Sequence, residues 1–271
     1  MPDLTIYEQP YHPPDKSPRR WIFFILIACV GLVGLFIAMM YVTYSDNMGI
    51  AVVRIDGTIA TGTQNDADIS GSEAIGQELR AAADDPMVEA IVIRINSPGG
   101  TPAGAQEIIE DLEYAKSKKP VVISMGDMAT SAAYWISSHG DRIYANPDTM
   151  TAGIGTIWKF SDISQWMGNE GYNTTVIKSG SMKDMGSESR PMTDEEILYA
   201  QHIVDSSFEN FIGDVLMQRN ISRSEIEDAR IMRGQEAKQL GLVDELGNLN
   251  DAIDGAKSLA QVRSSHLAGL S

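Results

Sequence analysis

Residues 88–100 read VEAIVIRINSPGG, and the fold class follows from this stretch. VEAIVIRI (88–95) is a β-branched run of the kind buried on both faces of a parallel sheet. NSPGG (96–100) ends the run with a proline and two adjacent glycines. Such a turn can aim backbone N–H groups at a ligand, and it can equally be a tight strand-to-helix turn. AGAQEIIEDLEYAKSK (103–118) follows with helical spacing and lysines in its last turn, where the helix dipole favours them. Pro120 stops it, and VVISM (121–125) is the next buried strand. Strand, helix, strand in this rhythm means βαβ units and a mainly parallel sheet.

The same rhythm continues on both sides. IAVVRI (50–55) reads as a strand, DGT (56–58) as a turn, 59–71 as a loop and SEAIGQELRAAADD (72–85) as a helix. SAAYWISS (131–138) reads as a short helix, with RIYA (142–145) and TVIK (175–178) as strands. A long helix is predicted from Thr193 to Gln218, opened by the capping box TDEE, and a shorter one within SRSEIEDAR (222–230). The last helix is expected near 250–260, with 261–271 as a loose tail. No internal repeat is visible.

The chain has 271 residues, 21 basic and 37 acidic, a net charge of −16. This acidity disfavours nucleic acid and anionic lipid headgroups as main partners. Cys29 is the only cysteine, so no disulfide forms within the chain. Four scattered histidines, His12, His139, His202 and His266, leave little for a metal site, and neither metal nor cofactor is expected. Trp21 to Tyr44 contains 24 residues without a charge, long enough as a helix for a bilayer core of about 30 Å. Lys16, Arg19 and Arg20 precede it and Asp46 follows it, so the positive-inside rule puts the N-terminus in the cytoplasm. The expected domains are a cytoplasmic tail (1–20), a transmembrane helix (21–44), an exported domain (45–260) and the tail.

Two further places follow apolar strands, where open α/β sheets bind ligands. In MGDMATSAAY (125–134), Ser131 sits among small residues at a helix start. It is either a nucleophile, in a field that favours a developing oxyanion, or a helix N-cap. A nucleophilic serine needs a base. His139 lies eight residues on, about 12 Å along a continuing helix and out of reach. Lysine remains, as a base that works when desolvated. VIKSGSMKDMG (176–186) offers Lys178 and Lys183, and the local sequence does not choose between them.

Four segments in order resemble the signal peptide peptidase A family of membrane-anchored Ser–Lys serine peptidases: NSPGG (96–100), MGDMATSAAYWI (125–136), KSGSMKDMGS (178–187) and RIMRGQEAKQLGLVDELG (230–247). The resemblance runs from about Ile50 to Ala260. It implies a Clp-protease/crotonase-like α/β fold and a ring-shaped homo-oligomer. It implies Ser131 as nucleophile, Lys183 rather than Lys178 as base, and backbone N–H groups of Gly99 or Gly100 and of Ala132 as the oxyanion site. The implied substrates are remnant signal peptides and other apolar peptides at the membrane. The histidine of the Clp proteases has no counterpart within DTMTAGIGTIWKF (148–160). Two positions depart from the family: Ala132 and Ala133 stand where glycines are usual. Gly153 stands where a serine usually bonds the lysine, leaving Thr151 or Thr156 to orient Lys183. A non-catalytic scaffold of the same fold is the alternative. A crotonase-like acyl-CoA enzyme is a weaker one, because an exported acidic domain suits CoA phosphates poorly.

Overall fold

The structure is a computed structural model that describes residues 18–46 and 49–268. It divides into two units, Met1–Met48 and Gly49–Ser271. In the first, α1 (Pro18–Asp46) is a helix of 29 residues. The expected tail before it falls outside the described residues except for 18–20. The side chains of α1 are described for 22–37 and 39 only. Among the described residues, no helix is long and apolar enough to cross a membrane.

The second unit is α/β. Its strands are β1 (Gly49–Ala60), β2 (Ile69–Gly71), β3 (Val88–Gly100), β4 (Val121–Thr130), β5 (Arg142–Ala145), β6 (Met150–Ala152), β7 (Ile231–Arg233) and β8 (Glu245–Leu246). The helices are α2 (Ser72–Asp84), α3 (Pro102–Lys118), α4 (Ala132–Ser138), α5 (Ser164–Asn169), α6 (Asp194–Gln218), α7 (Gly234–Leu240) and α8 (Leu249–Ala268). The sheet order is β2-β1-β3-β4-β5-β8, all parallel. β6 pairs parallel with the end of β4 and antiparallel with β7.

β3 is buried on both faces, as its sequence predicts. Ile91, Ile93 and Ile95 alternate onto the face with Ile75 and Leu79 of α2 and Ile108 and Leu112 of α3. Ala90 and Val92 face the other way, onto Ala252, Ala256 and Ala260 of α8. Three alanines at four-residue spacing let α8 lie close to the sheet.

Several elements differ from the sequence expectation. DGT (56–58) is no terminal turn but a bulge within β1, with Gly57 at φ 67° and the register shifting between Asp56 and Thr58. NSPGG continues β3 as strand instead of leaving it. TVIK (175–178) forms no strand, and Ile177 stays 96% exposed. The Ser222 capping box forms, but it opens a single 3₁₀ turn, Arg223–Glu225. α8 runs to Ala268, so most of the expected loose tail is helix.

Truncating a central β3 side chain tests this packing. Ile93→Ala is expected to cost about 2–5 kcal/mol, the range for a buried Ile→Ala cavity. Val262→Ala, on the exposed side of α8, should stay within about 0.5 kcal/mol. Chemical denaturation of both variants measures the difference.

Candidate active site

β4 hands directly into α4 through Ser131, which adopts φ 55° and ψ −128°. This conformation costs about 1–3 kcal/mol in a residue with a Cβ. Two backbone bonds hold it. The Ser131 amide donates to Ala152 O at 2.8 Å, and its carbonyl accepts from the Trp135 amide at 3.0 Å. The hydroxyl caps nothing in α4. Ser131 therefore occupies the N-cap position without doing the N-cap's work, and its Oγ has no hydrogen-bond partner among the described residues.

The glycines of NSPGG stand beside it. Gly99 has φ 105°, and a Cβ there would lie 2.8 Å from both Ser131 Cβ and Thr130 O. Only glycine fits both the backbone and the space. Its amide donates to the buried Ser97 hydroxyl at 3.1 Å, and Thr130 Oγ1 donates to Pro98 O at 3.0 Å. These bonds lace the end of β3 to the end of β4. Asn96 Oδ1 accepts from the Asp127 and Met128 amides and shapes the same strand end. Gly100, Ser131 and Ala132 line one cleft of about 340 Å³. Ala132 is the first residue of α4, so its N–H has no partner within the helix. Of the expected oxyanion residues, Gly100 and Ala132 face the cleft, while Gly99 spends its amide on Ser97.

The cleft's other walls come from distant segments. Trp135 and Phe211 stack at 4.8 Å, and Ala229 and Ile231 approach from the β7 side. Gly153 lines it too, with φ 62°; a Cβ there would sit 3.5 Å from Ser131 N, leaving room for a side chain. The departure seen in the sequence therefore falls beside the candidate nucleophile. Thr156 lines the cleft and donates to Ser207 Oγ at 3.2 Å. Thr151 is fully buried and donates to Ala129 O instead. Met125 belongs to the core, and Met182 lines a separate hollow with Lys178 and Arg190.

The two lysines separate clearly. Lys178 is ion-paired with Asp184 and donates to Ser181 O at 2.7 Å. Lys183 lies in the 3₁₀ turn Ser181–Asp184, exposed, and its ammonium has no partner among the described residues. It does not line the cleft that Ser131 lines. The turn itself is braced by Arg190, which donates to Asp184 at 2.7 Å and to Glu196 at 2.8 Å. Arg190, with the Thr193 amide, holds the Glu196 carboxyl at about 2, and Arg190 and Lys178 hold Asp184 well below the usual carboxylate range. No histidine is among the described cleft residues. His139 is buried between Glu113 and Asp214.

The sequence profile of peptidase family S49 matches residues 113–263. The chain belongs to this family. It is 34% identical over 219 residues to Protease 4 of Haemophilus influenzae, covering 79% of this chain and 35% of that protein. It is 32% identical over 222 residues to Protease 4 of Salmonella typhi, covering 80% of this chain and 36% of that one. It is 27% identical over 221 residues to the chloroplastic serine protease SPPA of Arabidopsis thaliana, covering 79% of this chain and 32% of that one. The chain thus spans about a third of the length of these relatives.

In this S49 chain the sequence located Ser131, its glycine loop and the Gly153 position. It missed Phe211, Ala229 and Ile231, which reach the cleft only through tertiary folding. It also missed Arg190. The one available signal was Glu196, recognised as part of a capping box, which serves Arg190 as well.

Two outcomes are expected. Gly99→Ala forces a methyl against Thr130 O and Ser131 Cβ and should destabilise by about 1–3 kcal/mol. Gly168→Ala, with nothing within 4 Å, should change stability by no more than about 0.5 kcal/mol; thermal unfolding compares them. The Arg190 brace depends on carboxylates whose folded pKa values are depressed. Its contribution is complete above their unfolded values near 4 and is lost as pH falls toward about 2. The Tm difference between wild type and Arg190→Leu should therefore shrink across that window.

Proposed function

We propose that the chain is a membrane-anchored serine endopeptidase that cleaves apolar peptides, remnant signal peptides among them, with Ser131 as nucleophile and Lys183 as general base. The observation that carries this is the uncapped, strained Ser131 in the same cleft as Gly100 and Ala132. A hydroxyl held in a costly conformation, and not used for structure, is placed for chemistry.

The reaction is acyl transfer. Lys183 Nζ takes the Ser131 proton while Oγ attacks the peptide carbonyl carbon. The N–H groups of Gly100 and Ala132 hold the oxyanion; losing one such donor costs about 10²–10³ in rate. The C–N bond breaks as the lysine returns the proton to the leaving amine. Water, activated by the same lysine, hydrolyses the ester and frees Ser131.

Lys183 is exposed outside the cleft of its own chain, so the dyad is completed by a neighbouring copy in a homo-oligomeric ring. The segment around it favours such an arrangement. Ile157, Trp158, Trp166, Tyr172 and Ile177 are all exposed here, an apolar surface of the kind that contacts partners. Cover by a second copy also supplies the desolvation a lysine base requires. The proposed anchor is read from the sequence, the uncharged 21–44 stretch, whose side chains are described only at 22–37 and 39, with Phe23, Leu26, Leu32 and Phe36 exposed. The basic flank before it puts the peptidase domain outside the cytoplasm. The second reading, a scaffold without catalysis, is favoured by Gly153 and by Lys183 not being among the residues that line the cleft.

The test uses full-length protein in detergent on fluorogenic apolar peptides. Ser131→Ala and Lys183→Ala should each be silent alone. Mixed and allowed to exchange subunits, they should regain part of the activity, because one intact Ser131 then meets one intact Lys183. A silent mixture would place the lysine within its own chain. Turnover by either variant alone would overturn the dyad, and a silent wild type would favour the scaffold.

A further inference from the structure

We propose that Trp135 is the wall that sets the size of side chain accepted next to Ser131, and that the half-buried Asp214 and the buried His139 are positioning residues for it. This rests on Ser131 being the nucleophile.

Trp135 lies one helical turn beyond Ser131, and both line the cleft. Its indole is gripped at two points by one face of α6. Phe211 stacks on the ring at an interplanar angle of 18°. Asp214, three residues further on, accepts from Nε1 at 2.5 Å. Stacking alone leaves a ring free to slide and turn in its plane; the hydrogen bond at its edge removes that freedom. Asp214 is held in turn. The same Oδ2 lies 2.9 Å from His139 Nε2, and His139 Nδ1 lies 2.8 Å from Glu113 Oε1 on α3. His139 is 4% exposed. The chain of bonds thus ties α6, α4 and α3 together behind one cleft wall. With Asp214 half-buried and Glu113 exposed, these contacts add little net stability. What they fix is orientation.

The orientation matters because Trp135 and Pro102 line a second hollow as well, of about 430 Å³. That hollow is polar, with Gln106, His202, Ser206 and Asn210 among its walls. Trp135 therefore stands as a partition. On one side is the cleft with Ser131, and on the other a polar space that a substrate side chain reaches only if the ring yields. A braced ring confines the accepted side chain to the apolar cleft. An unbraced one admits longer and more polar side chains.

The experiment measures kcat/KM of the full-length protein on peptides that differ only at the residue donating the scissile carbonyl, leucine against glutamine. Asp214→Leu removes the acceptor and should raise the glutamine-to-leucine ratio about tenfold, the scale on which pocket shape discriminates. Asp214→Asn keeps an acceptor and should stay near the wild-type ratio. Trp135→Phe loses the N–H but keeps a ring on Phe211; it should shift the ratio in the same direction as Asp214→Leu, and it decides the matter if Asp214→Leu does not fold. Labelling of Ser131 by a small fluorophosphonate monitors the nucleophile separately and should proceed at the wild-type rate in both Asp214 variants. An unchanged ratio in Asp214→Leu or in Trp135→Phe, with labelling intact, overturns the partition. So does an Asp214→Asn ratio equal to that of Asp214→Leu. Absence of labelling in the wild type overturns the nucleophile assignment instead.

Discussion

The close approach of Gly99 to Ser131 is the constraint on which the site depends. With a virtual Cβ only 2.8 Å from Ser131 Cβ and from Thr130 O, the end of β3 presses directly on the bend between β4 and α4. The register of the two strands shifts between Ile95 and Ser97, and parallel pairing resumes with Ser97 opposite Ala129, which brings the two strand ends together. The bend at Ser131 is locally unfavourable, and it persists because neighbours overdetermine it. Gly99 packs on one side, Ala152 O takes the amide on the other, and Thr130 is tied to Pro98. The sheet supplies the rigidity, and the strained serine uses it.

What was legible in the sequence is what local chemistry controls. The β-branched run 88–95 announces a strand because its side chains have no polar face to show, and it is buried on both sides as expected. The Thr193 and Ser222 capping boxes both form because each is closed by residues three apart. The misses have the opposite character. β6 and β7 have three residues each and exist only through pairing with each other and with the end of β4. Too short to show a period, they could not be read from pattern. TVIK has the composition of a strand and no neighbour to pair with among the described residues. The DGT segment has the composition of a turn, yet the ladder to β3 resumes after a bulge and carries β1 through it.

The choice between Lys178 and Lys183 shows the same division. Both lysines sit in one short polar segment, and nothing in their spacing separates them. The structure separates them through Asp184. That carboxylate accepts from Arg190 and also pairs with Lys178, so Lys178 is a fixed cation in a salt-bridge cluster. Lys183, one residue before Asp184, points out of the cluster with no partner among the described residues.

The division of labour around the cleft explains why so costly a site is tolerated. The core beneath it, from Ile91 to Met125, is apolar and continuous with the cleft residues Ala132, Trp135 and Phe211. Behind the cleft the Ser97, Thr130 and Asp214 groups are hydrogen-bonded, while within it Ser131 Oγ is left open. α6 joins the two regimes. Its first turn anchors the Lys183 segment through Glu196 and Arg190, and its later turns set the Trp135 wall through Phe211 and Asp214. One helix thus holds both the segment that carries the candidate base and the wall that faces the candidate nucleophile. A shift of α6 along its axis would move both together, so the presentation of Lys183 and the shape of the cleft are mechanically coupled within a single chain.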